Sequence, residues 1–97
     1  MFKLIDAIEQ NKKTPETFEI PSTFEIMSIH EGDFVQLCFI EKGLNPERIW
    51  VEVLGINNGR FTGKVDNVPF HLKTVRFCDT VFFESRHILK TLGASVK

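Results

Sequence analysis

Among the residues of the C-terminal half whose side chains can bind metals or move protons are His71, Cys78, Asp79 and His87. A metal centre gathers its ligands from turn or helix-face spacings, and these four match no such spacing. Nucleophilic catalysis needs a thiol or hydroxyl beside a base, so Cys38 or Cys78 with a histidine is the pairing to consider. Paired carboxylates would serve general acid–base chemistry. Glu31 and Asp33, however, flank Gly32 in what reads as a solvated turn. The sequence holds no phosphate loop, dinucleotide fingerprint or nucleophile elbow. The expectation is a protein with no metal, no cofactor and no catalytic residues.

Recognition chemistry is better represented. Trp50 is the single tryptophan of a chain with ten phenylalanines and no tyrosine. It lies in an alternating segment beside Arg48 and Leu54, and Trp and Arg dominate protein-interface hot spots. Trp50, Arg48 and Leu54 are therefore the candidate partner-binding residues. If the N-terminal helix or residues 18–30 cover their face, Trp50 is core; if the face is open, it is a hot spot. Glu16, Glu19 and Glu25 make the 16–25 stretch acidic, which reads as a solvated surface, with a basic partner as the alternative.

Composition narrows the class. Ninety-seven residues fit one domain, taken as 1–97. Twelve basic and thirteen acidic residues give a net charge of −1, which argues against nucleic acid as a partner. No apolar run is long enough for a membrane span. Asp6 and Glu9 break any secretory leader, so the expected location is cytoplasmic. Cys38 and Cys78 each sit in an apolar segment and read as buried reduced thiols, with a disulfide left open.

The elements that would position these residues are short. Residues 2–10 show apolar positions at helical spacing and read as a helix ended by Asn11. Residues 11–17 form a polar link. Phe18–Glu19–Ile20 and Phe24–Glu25–Ile26 alternate around Pro21, which favours extended structure on a sheet edge, with a short helix capped by Ser22 or Thr23 as the alternative. Phe34 to Glu41 is apolar on both faces and reads as a central strand. Arg48 to Ile56 and Arg60 to Asp66 are the next two strands. Phe70–His71–Leu72 reads as a short strand and Thr80 to Glu84 as the last one. Ser85 caps a helical turn through Leu92, Gly93 ends it, and a tail runs from 94 to 97.

The Asn57–Asn58–Gly59 connection is a hairpin signal whose register follows from its neighbours. A three-residue loop puts Val51 opposite Val65, Val53 opposite Gly63 and Glu52 opposite Lys64. That register gathers Ile49, Val51, Val53, Phe61 and Val65 on one face and pairs opposite charges on the other. Gly59 then takes the left-handed bulge position. Phe34, Phe39, Phe61, Phe82 and Phe83 are the expected filling of a thin core.

Three segments carry a resemblance. They are Glu47–Arg48–Ile49–Trp50–Val51–Glu52–Val53, then Phe61–Thr62–Gly63–Lys64–Val65–Asp66–Asn67–Val68–Pro69, then Cys78–Asp79–Thr80–Val81–Phe82–Phe83 with His87–Ile88 behind it. Together they resemble a bacterial domain family with the pattern E-R-(M/I)-W-V-x-V, G-x-(L/V)-x-N-x-P and G-D-x-V-x-F followed by isoleucine. Relatives of that family include the immunity-protein barrels of toxin–immunity loci. The pattern positions are Glu47, Arg48, Trp50, Val51, Val53, Gly63, Asn67, Pro69, Asp79, Val81, Phe83 and Ile88, within roughly residues 32–88, with 1–31 forming a helix and link ahead of them. Cys78 stands where the family has glycine, a position where positive φ would cost a cysteine energy. Read on their own chemistry, Glu47 pairs with Arg48 at a strand start, and Asn67 with Pro69 is a turn device.

The expected fold is α+β: a strongly curved, mostly antiparallel sheet or small partly open β-barrel with short N- and C-terminal helices. The resemblance implies a barrel and an immunity-like role, with a toxin as protein partner. The leading functional expectation is a non-enzymatic protein-binding module. The alternatives are a small-ligand binder or enzyme with a barrel-mouth pocket near His71, Cys78 and His87, and a structural homodimer closing an exposed strand edge.

Overall fold

The structure is a computed structural model that describes residues 1–94; most of the expected tail over 94–97 lies outside them. In chain order the elements are β1 (Lys3–Leu4), α1 (Ala7–Lys13), α2 (Thr23–Met27), β2 (Phe34–Ile40), β3 (Glu47–Asn57), β4 (Arg60–Val65), β5 (Thr80–Glu84), a 3-10 turn (Ser85–His87) and β6 (Ile88–Leu92). All strand pairs are antiparallel, in the order β1-β2-β3-β4-β5. β6 returns to pair with Phe34–Leu37 of β2, while β1 pairs with Phe39 and Ile40 of the same strand. The six strands thus form a nearly closed barrel, as the α+β expectation requires.

One apolar face of each strand fills the barrel. Val35, Leu37 and Phe39 of β2, Ile49, Val51 and Val53 of β3, Phe61 and Val65 of β4, and Val81 and Phe83 of β5 are all buried together. Phe61 and Phe83 stack with ring centroids 5.1 Å apart. Gly63 faces Val53 across the β3–β4 ladder. A Cβ there would collide with the Val51 side chain and lie 3.0 Å from both the Glu52 carbonyl and the Phe83 ring. Phe82 alternates outward and is 74% exposed, so the expectation that it fills the core is corrected by the strand's period of two.

The hairpin keeps the expected register where it matters: Val51 pairs with Val65, Glu52 with Lys64 and Val53 with Gly63. Lys64 and Glu52 form an ion pair at 3.7 Å on the outer face. The turn itself is tighter than expected. Asn57 pairs with Arg60, and Asn58 and Gly59 alone form the connection, at φ 53° and 76°. Two consecutive positive φ values are what an Asn-Gly hairpin turn supplies. The odd residue is absorbed at Leu54 instead, where the ladder shifts register, and Leu54 is left 43% exposed.

The N-terminal segment differs most from expectation. Lys3–Leu4 is a strand and the helix starts only at Ala7, because Asp6 caps it by accepting from the Glu9 N–H at 3.0 Å. Phe2 packs on Phe39 with centroids 4.9 Å apart. Asn11 lies inside the helix, and its side-chain amide donates to the Phe18 carbonyl at 2.7 Å. Residues 18–30 contain no strand. Ser22 and Glu25 form a capping box, each taking the other's backbone N–H at 3.1 Å, and this sets α2. Ala7 and Phe18 cover Cys38 and Leu89 on the outside of the barrel, giving β2 apolar cover on both faces.

The C-terminal helical turn is also shorter than expected: one 3-10 turn over Ser85–His87, after which the chain extends as β6. Phe70–His71–Leu72 is an irregular loop rather than a strand. No helix among the described residues is long and apolar enough to cross a membrane.

Candidate partner-binding surface

Residues 66–79 link β4 to β5 without regular structure, yet side chains from distant strands hold their backbone at several points. Asn67 Oδ1 accepts from the Trp50 N–H at 2.7 Å, and the Asp66 N–H donates to the Trp50 carbonyl at 2.9 Å. The Glu47 carboxylate accepts from the N–H groups of Phe70 and His71, at 2.6 and 2.8 Å. At the end of β2, Glu41 accepts from the Lys73 and Thr74 N–H groups and from the Thr74 hydroxyl, at 2.8–3.1 Å. Buried Leu72 and Val75 anchor the loop in the core. At its far end Asp79 accepts from the Arg76 N–H at 2.8 Å.

Glu41 and Glu47 are good clamps because they are ionised. Desolvation pushes the Glu41 pKa up, but the donors from Thr74 and Lys73 outweigh it, and the net shift is downward. Glu47 shows the same balance: desolvation raises its pKa, and the N–H groups of His71 and Phe70 more than offset that and lower it. Charge-assisted bonds of this kind are the stronger class of hydrogen bond.

On this fixed loop, large apolar side chains face solvent. Phe70 is 86% exposed and Val68 79%. Phe77 is exposed as well, and Lys73 and Arg76 add positive charge. A chain this small has every reason to bury phenylalanine, so its display on a backbone held this firmly makes the loop a candidate contact surface. In the sequence neither Val68 nor Phe70 stands out as a recognition residue. Their signal was bulky apolar residues inside an Asn- and Pro-marked turn, where exposure is the default.

The residues singled out from sequence separate. Trp50 is half-buried on the outer face and walls a groove with Ile20 and Leu89; Arg48 and Leu54 do not line that groove. The guanidinium of Arg48 sits 5.2 Å from the centroid of the Phe18 ring. Glu47 makes no ion pair with Arg48, because both of its oxygens are taken by the loop. Asn67 bonds a strand seventeen residues away rather than its own turn.

His71, Cys78 and His87 do not share one cavity. His87 lines a cleft of about 730 Å³ at one barrel end with Arg60, Glu31 and Glu84, and neither His71 nor Cys78 lines it. The imidazole Nδ1 of His87 accepts from the Glu84 N–H at 2.9 Å, at the N-cap of the 3-10 turn. Burial, reinforced by the Arg86 charge, lowers its pKa against the pull of Glu84 and Asp6. Both cysteines are free. Cys38 is buried, with its thiol pKa raised by that burial against the opposing charge of Arg48. Cys78 is exposed, which corrects the expectation of two buried thiols, and adopts φ 74° where its N–H donates to the Val65 carbonyl at 2.8 Å. Among the described residues no three His, Cys, Asp or Glu side chains are grouped to hold a metal. No family model matches the chain, and neither a curated protein nor a solved structure matches it.

Proposed function

We propose that this protein is a non-enzymatic, cytoplasmic protein-binding module that uses the 66–79 loop as its contact surface, in an immunity-like role against a toxin partner. The observation that carries the reading is the combination of a backbone held by Glu41, Glu47 and Asn67 with Val68 and Phe70 in solvent. A fixed loop loses little entropy on docking, so exposed apolar area there converts efficiently into affinity. The resemblance to a family related to immunity barrels favours the same role. Its pattern residues Glu47, Trp50 and Asn67 fall on the bonds that hold the loop.

The test is genetic and then local. Reading frames flanking the gene are expressed with and without this protein. A growth arrest that the protein relieves, and that a Val68→Ser/Phe70→Ser variant of unchanged stability does not relieve, is the expected result. Absence of any relieved arrest, or full relief by the variant, overturns the reading.

A further inference from the structure

A second recognition site lies on the outer face of the barrel. Between the 19–25 segment and strands β3 and β6 runs a groove of about 380 Å³. Trp50, Ile20 and Leu89 give it apolar walls; Glu19 and Glu25 supply carboxylates and Lys90 one ammonium. The covering by Ala7 and Phe18 does not include Trp50, so the indole remains half-buried rather than packed as core. Gln36 pairs with Trp50 on one side and Lys90 on the other, which puts the three in one cross-strand row. Its carbonyl Oε1 is buried and has no hydrogen-bond partner.

We infer that this groove receives an arginine side chain from a partner protein. The volume suits one extended side chain, not a helix about 10 Å across. The apolar walls take the aliphatic stem, and the indole offers a face to a flat cation. Two carboxylates against one ammonium leave the lining net negative. Glu25 spends one oxygen on the Ser22 N–H, whereas Glu19 is exposed and uncommitted to α2. Gln36 itself is not part of the lining, so recognition rests on the carboxylates and the indole: guanidinium carries five donors in a planar fork. The site prefers a cation, whereas Lys73 and Arg76 give the loop the opposite preference. It stands on its own observations, so an inert groove leaves the loop reading intact, and an inert loop leaves the groove.

Trp50 is the only tryptophan, so its fluorescence reports on this groove without labelling. The full chain is titrated with acetyl-Gly-Arg-Gly-amide, and with the same peptide carrying citrulline in place of arginine. The expected result is a saturable emission change with the arginine peptide at low millimolar concentration and a much weaker one with citrulline. Glu19→Gln, on an exposed side chain, should weaken binding roughly two- to fivefold, and Lys90→Gln should tighten it by a similar factor. Equal responses to the two peptides, no response to arginine, or unchanged affinity in both variants overturns the proposal.

Discussion

Replacing Gly63 by alanine should destabilise the barrel although it adds a single methyl group. The added Cβ would collide with the Val51 side chain and press at 3.0 Å on the Glu52 carbonyl and the Phe83 ring. Two of those neighbours cannot yield cheaply. Glu52 contributes backbone in mid-ladder, and Phe83 is stacked on Phe61. Overpacking a close-packed interior costs about 1–3 kcal/mol. Removing a glycine from the unfolded chain returns about 0.5–1 kcal/mol. Two stiff neighbours put the overpacking in the upper half of that range, so the net loss after the glycine gain is about 1–2 kcal/mol. With a urea m-value of about 1 kcal/mol/M for a domain of this size, the midpoint should fall by about 1–2 M. A double-mutant cycle then tests the cause. Val51 is fully buried, and Val51→Ala alone should cost about 2–3 kcal/mol through its cavity. If the collision is the reason, the double variant should lose about 1–2 kcal/mol less than the sum of the two singles. A neutral Gly63→Ala, or strict additivity in the cycle, would refute the packing argument.

Three further outcomes follow from the same structure. Glu41 and Glu47 have folded pKa values below the ordinary 4.5, so the stability they confer is present above that value and is lost as pH falls through the folded pKa. Amide exchange at Phe70, His71, Lys73 and Thr74 should accelerate there before exchange in β2 does. His87 has a folded pKa below 6.5, so the unfolded chain binds its proton first and stability declines as pH drops from 6.5 towards the folded value. An NMR titration should place its midpoint below 6.5, with the Glu84 amide shifting in step, since a protonated Nδ1 no longer accepts; a midpoint at or above 6.5 contradicts this. Cys78→Gly should stabilise the protein by about 0.5–1 kcal/mol, the left-handed penalty of a side chain exceeding the entropy glycine adds to the unfolded state. Thermal unfolding reads this as a Tm higher by a few degrees, and a lower Tm rejects it.

What the sequence made legible was periodic. Alternation from Ile49 to Val53 and around Gly63 set the hairpin register, because a slip would have exchanged core and solvent faces. Alternation does not say where an odd residue goes. A longer turn and a bulge at Leu54 preserve the same inner face, and the preference of Asn-Gly for a two-residue turn decided between them. Near the N-terminus the spacing of Phe2, Ile5 and Ile8 suits a helix, but over so few residues pairing with β2 outweighs it. Ser22 and Glu25 carry the signal for α2, while Pro21 beside them is equally at home on an extended edge. The Ile88–Leu92 strand is set by a tertiary demand, the open edge of β2, which no local pattern carries. The clamps were invisible for a related reason. Glu41 and Glu47 accept from backbone donors 23 to 33 residues away, and any sequence at 70–74 except proline offers such donors.

Strand β2 is the meeting place of the two ends of the described chain. β1 and β6 share its one edge, Lys3–Leu4 beside Phe39–Ile40 and Ile88–Leu92 beside Phe34–Leu37. During synthesis β2, β3 and β4 can zip as a meander as soon as they emerge. The Phe34–Leu37 edge stays bare until β6 leaves the ribosome. The nascent chain therefore carries an apolar central strand with half an edge unpaired until Ile88–Leu92, much further along the chain, joins it. The barrel can close only in one late, long-range step, which is the slow kind.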